Sequence, residues 1–183
     1  MMLQPNDRRE FFKIWLGLLA FVNKKHKLVK GFVYPKTPVG IKPETIKKIT
    51  EKLWQDVKII DEYIDSTKDL PEEDIQILLG WKNSLAGHFF IMRHLKKHSV
   101  FMYEHENESI LFGVNGISNP ISYLYPPEIL PIMVETVLMP FKGIIIYDTI
   151  FQSYNVSIGP NMKSNLNFKY SEAKKDKGIV TAL

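Results

Sequence analysis

The stretch HFFIMRHLKKHSVFMYEHENESILFGVNGI, residues 88–117, decides the fold. Phe, Ile, Val, Met and Tyr crowd it in short runs. Polar residues at Lys96-Lys97 and Asn107, and then Gly116, interrupt them. Short β-branched and aromatic runs bounded by turn residues read as strands. The segment therefore reads as two or three antiparallel strands, at about 88–95, 98–105 and 109–114.

The chain before it has a helical texture. In residues 6–26, Phe11, Trp15, Leu18 and Val22 recur at spacings of four, three and four, with Asn6 or Asp7 placed to cap. Residues 28–42 hold Gly31, Pro35, Pro38 and Gly40 and read as a connection, with Leu28–Tyr34 as a short strand inside it. Residues 43–67 read as one long helix, because Ile46, Ile49, Leu53, Val57, Ile60 and Ile64 form a single apolar stripe. Pro71 opens a third helix with Glu72, Glu73 and Asp74 in its first turn, running to about Leu85 and stopping at Gly87.

Beyond residue 117, Pro120, Pro126, Pro127 and Pro131 make 118–131 a rigid loop with one helical turn near Glu128–Leu130. Ile132–Met139 and Ile144–Phe151 read as a hairpin around Lys142-Gly143, with Pro140 at the strand end. A further short strand is expected at 154–158. A last helix runs from Asn161 or Ser164 to about Lys177, Gly178 ends it, and Ile179–Leu183 is a final strand. Helices, then strands, then a helix make an α+β protein. About five antiparallel strands in 88–158, plus the C-terminal one, pack against N-terminal helices and one C-terminal helix. The expected organisation is a single domain over 1–183 with one shared core, subdivisible into a helical lobe (1–86) and a sheet lobe (87–183).

The 183 residues are 45% hydrophobic and 24% charged, the balance of an ordinary globular chain. The absence of cysteine excludes disulfides, Cys-based zinc sites, iron–sulfur clusters and thiol catalysis. No apolar run reaches the roughly 20 residues of a membrane span, so no membrane partner is expected. The net charge of +4 is uneven. Residues 1–50 carry eleven Lys or Arg against three acids, and residues 51–79 carry nine acids against three lysines. Either these surfaces neutralise each other within the fold, or a basic face is offered to an acidic partner.

Met139-Pro140-Phe141-Lys142-Gly143, Ile146-Tyr147-Asp148 and Gly178-Ile179-Val180-Thr181, together with Arg93–Lys97 and Phe11–Trp15, carry a resemblance spanning most of the chain. The sequence is similar to a bacterial cytoplasmic protein group of unknown function. The resemblance implies a cytoplasmic bacterial origin and carries over no site.

The residues bear on six chemistries. Asp7–Lys13 is similar to a twin-arginine export signal. However, Asn23-Lys24-Lys25 follows the apolar run where a small-residue cleavage site belongs, so an ordinary helix fits better. For a metal, the weak candidates are His88, His94 and His98. For acid–base or hydrolytic chemistry they are His94, Glu104 and Asp148, with Glu135 and Tyr147 nearby, and no serine elbow is present. Gly113-Val-Asn-Gly116 lacks the third glycine of a phosphate loop, and no cofactor is expected. For nucleic acid, Lys24, Lys25 and Lys27 and then Arg93, Lys96 and Lys97 form basic clusters, with Phe101, Tyr103 or Phe112 available to stack bases. For an interaction surface, the proline loop offers Tyr123, Leu124, Tyr125 and Ile129. The reading that results is a non-catalytic binding or interaction protein whose partner is an unknown protein or a second copy. A nucleic-acid-associated protein is the alternative, and a metal-dependent or hydrolase-like enzyme the second.

Overall fold

A computed structural model of the chain describes residues 1–32, 40–106, 108–154 and 157–183. The contacts divide these into two units, one of residues 4–83 and one of residues 1–3 with 84–183. The first is helical: α1 (Pro5–His26), α2 (Pro43–Gln55), α3 (Ile59–Ser66) and α4 (Glu72–Gly80), then one 3-10 turn at Trp81–Asn83. The second holds β1 (Leu85–His94), β2 (Ser99–His105), β3 (Glu108–Val114), β4 (Ile132–Phe141), β5 (Ile144–Tyr147), β6 (Gln152–Ser153) and α5 (Pro160–Asp176). The protein is α+β.

In the helical unit, Pro5 takes the first position of α1, and neither Asn6 nor Asp7 caps it. Rings fill the centre: Trp15 lies 5.5 Å edge-on to Trp81 and 6.0 Å from Trp54, and Phe11 stacks on Trp15 at 6.0 Å. The expected 43–67 helix is broken. Asp56 is extended, and its carboxylate accepts the Lys58 backbone N–H at 3.1 Å. A short acidic side chain that caps the next turn competes with helix continuation, which the apolar stripe alone does not report. The stripe survives the break in altered phase: Ile46, Ile49 and Leu53 are buried on α2, and Ile59 and Ile60 on α3. After α1 no strand forms over residues 28–32; Asn23 instead bonds Val29 N–H and the carbonyls of Val29 and Phe32. Residues 33–34 of that expected strand lie outside the described residues, as do 155–156 of the one expected at 154–158.

In the other unit, β1 begins at Leu85, before the Gly87 expected to stop a helix. Gly87 is a strand residue facing Tyr103, where an added Cβ would come within 2.9 Å of the ring. Lys142 and Gly143 both have positive φ, the backbone of a tight hairpin turn between β4 and β5. Pro140 lies within β4, opposite Ile145. The strand order is β1-β2-β3-β5-β4-β6, and β1 also pairs β4, so five strands close a ring. The sheet is mixed: β3 and β5 run parallel through Val114 and Ile145, and the other ladders are antiparallel. The expected final strand contracts to one bridge, with Gly113 N–H to Val180 O and Val180 N–H to Leu111 O both at 2.8 Å.

Phe89, Phe101 and Phe112 fill the ring, with Phe89 6.2 Å from Phe101 and 6.4 Å from Phe112. The outer face of β1–β3 is apolar as well. Met92, Val100, Met102 and Leu111 pack under Leu166, Tyr170 and Ala173 of α5. Burial on both faces explains why this sequence reads as continuous apolar runs and not as strict alternation.

Candidate functional site

Part of the charge asymmetry is met inside the helical unit. Lys13 of α1 bonds Asp74 of α4 at 2.8 Å, Lys25 of α1 pairs with Glu62 of α3, and Lys82 bonds Asp61 at 2.8 Å. Lys24 and Lys27 are exposed at the end of α1. In the other unit, Lys96 and Lys97 are exposed in the β1–β2 turn. Arg93 lies 4.7 Å over the Tyr170 ring and bonds Asn167 at 3.3 Å. Phe101 and Phe112 are buried, which removes them as stacking platforms for bases.

The expected catalytic candidates have separate partners. His94 is held at both nitrogens: Nε2 donates to the Tyr125 carbonyl at 2.7 Å, and Nδ1 accepts from the Ser99 hydroxyl at 2.7 Å. The carbonyl can only accept, so Nε2 carries the proton. Ser99 is buried, which keeps a substrate from its hydroxyl. Glu104 bonds Lys169 of α5 at 2.8 Å. Asp148 is buried and accepts the Ile150 N–H at 3.4 Å, with the Thr136 hydroxyl at 3.3 Å. Tyr147 beside it is pushed up to about 12, first by burial and then by the neighbouring Tyr125 and Asp148.

The three metal candidates also part company. His98 lies flat against Gly113, where an added Cβ would meet its ring at 2.9 Å, and burial lowers its pKa. His94 is occupied as described. No group of three His, Cys, Asp or Glu side chains able to hold an ion occurs among the described residues.

His88 has a different setting. It stands opposite Glu135 in the β1–β4 ladder, on the outer face. Its Nε2 is 3.1 Å from the Tyr154 hydroxyl, which donates to Glu135 Oε2 at 2.5 Å. That bond favours the neutral phenol and raises the Tyr154 pKa. Tyr154 also lines a cleft of about 660 Å³ with Glu128, Ile129, Ile132, Ile158 and Lys163. Sequence reading missed Tyr154 and Lys163. Only the β4–β6 pairing carries Tyr154 back toward His88, and no local motif encodes it.

The proline loop borders the same cleft through Ile129. Tyr123 is 80% exposed, Leu124 54% and Ile129 47%, while Tyr125 is 9% exposed and rests edge-on against Phe151 at 5.5 Å. Short 3-10 turns at Ile121–Tyr123 and Pro127–Ile129 fix the loop. No helix among the described residues is long and apolar enough to cross a membrane. Compared with protein-family models, curated proteins and solved structures, the chain matches none.

Proposed function

We propose that the protein is a non-catalytic binding protein that docks a protein partner through residues 118–131. One observation carries this reading. Tyr123, Leu124 and Ile129 present large apolar side chains to solvent from a loop held by four prolines, beside a cleft. Clustered exposed apolar side chains on a rigid support are what a docking surface needs, since little ordering entropy opposes association. Tyr125 acts as the anchor that ties the loop to the sheet. We place the protein in the bacterial cytoplasm on the resemblance noted above.

The other classes have less support. A nucleic-acid reading keeps Lys96 and Lys97 but lacks Phe101 and Phe112 as stacking surfaces, and α5 covers the outer face of β1–β3. An enzyme built on His94, Glu104 and Asp148 would need these side chains to share a substrate, and each is committed to different neighbours.

Native mass spectrometry of the purified chain, beside a Tyr123→Lys/Leu124→Glu variant, tests the reading. A dimer that the variant loses assigns the patch to a second copy. A monomer whose captured partner disappears in the variant assigns it to another protein. Identical assemblies and identical captured proteins in both forms would overturn the proposal.

A further inference from the structure

We infer that His88, Glu135 and Tyr154 form a three-donor site for a divalent transition-metal ion of the zinc or copper class. The inference is independent of the docking surface. Its first support is register: His88 and Glu135 are direct partners on β1 and β4, so both project from the same face. Glu135 also pairs Gln152 of β6, and two residues later the chain delivers Tyr154 to the same spot. Two paired strands hold two of the donors, which limits the rearrangement needed on binding.

The second support is the donor triangle. Nε2 of His88, the Tyr154 oxygen and Oε2 of Glu135 are separated by 3.1, 2.5 and 3.9 Å. An ion with bonds of about 2.0–2.2 Å holds its donors roughly 3.0–3.5 Å apart, which these edges bracket. The short edge is the phenol O–H bond to the carboxylate. On binding, the Tyr154 O–H bond breaks and a Tyr154 oxygen–metal bond forms. The proton passes to solvent, and the edge opens toward the metal-bound spacing. His88 moves its proton to Nδ1 and offers the Nε2 lone pair, and Glu135 offers a carboxylate oxygen.

The third support is chemistry and access. One imidazole nitrogen with two anionic oxygens suits zinc, copper or iron better than calcium or magnesium. The side chains of His88 and Glu135 are 59% and 46% exposed, so an ion reaches them without opening the fold. Because Tyr154 also lines the cleft, a small ligand bound there would lie next to the ion. His105 and Glu106 form another exposed pair at 3.9 Å, between neighbouring residues, and serve as an internal control.

The test is calorimetric titration of the untagged, metal-stripped full chain with zinc chloride. The expected result is one ion per chain with release of a proton. Binding should weaken at least about tenfold in His88→Ala and in Glu135→Gln, and severalfold in Tyr154→Phe. It should be unchanged in His105→Ala and in the Tyr123→Lys/Leu124→Glu variant. With copper chloride, a phenolate charge-transfer band should appear in the native protein and be absent from Tyr154→Phe. Matching circular dichroism spectra establish that the variants fold. Absence of stoichiometric binding, or binding that persists in both His88→Ala and Glu135→Gln, would overturn the assignment.

Discussion

Two outer faces of the same sheet have opposite fates. Over β1–β3, Phe90, Met92, Val100, Met102 and Leu111 lie beneath α5 and form a second apolar core. Across β1 and β4, His88 and Glu135 point outward and stay in contact with water. Residues 88 and 90 belong to one strand and share its outer parity, yet Phe90 packs against the α5 core and His88 is solvated. What differs is the cover: Leu166, Tyr170 and Ala173 reach the first face and not the second. Burial of this kind supplies stability through lost apolar surface, whereas a polar, solvated face adds little stability and is available for ligands.

Perturbing the covered face should break this contrast most strongly. Tyr170→Ala removes the largest α5 side chain in that core and should cost about 3–5 kcal/mol, and Leu111→Ala about 2–5 kcal/mol. Urea unfolding followed by circular dichroism measures both. A loss below about 1 kcal/mol in either would mean that α5 does not seal the sheet. Gly113→Ala comes next, because its Cβ would meet the His98 ring at 2.9 Å. Overpacking of this kind costs about 1–3 kcal/mol, and adding His98→Ala should restore much of it.

The pH response is smaller. Burial lowers the His98 pKa below 6.5, so the unfolded chain takes up the proton first as pH falls. Stability should be unaffected by this group well above pH 6.5, and should decline as pH drops through that value toward the lowered one. Unfolding midpoints at several pH values should show a shallower decline in His98→Gln than in the native chain. A slope unchanged by the substitution would place the pH sensitivity elsewhere. Smallest of all should be the stability effects on the open side. His88→Ala and Tyr123→Lys should each shift stability by no more than about 0.5 kcal/mol, while altering metal binding and association respectively.

Much of the fold is legible in local stretches of residues. The Lys142-Gly143 turn, α5 with its glycine stop and the three strands after residue 84 follow from local preferences that act over a few residues. The break at Asp56 was not legible, because the apolar stripe of 43–67 keeps its spacing across it. Gly87 reads as a helix stop in sequence. It is a strand residue because Tyr103, sixteen positions later, occupies the space of its side chain. The candidate site was legible only in part. The exposed Tyr123, Leu124 and Ile129 lie in one short segment, but Tyr154 stands 66 positions from His88.

By itself, then, the sequence determined where most of the helices and strands lie, the α+β class and the rigid proline loop. Each rests on periodicity, turn chemistry or composition within a dozen neighbouring residues. Only the tertiary structure decided that β1 pairs β4 to close the ring, that β3 and β5 run parallel, and that α5 covers one outer face. It alone brought the donors on β1 and β4 together with Tyr154. Those outcomes depend on contacts between distant residues. Their loop-closure entropy is overcome only when many such contacts form together, so no local stretch of residues encodes them.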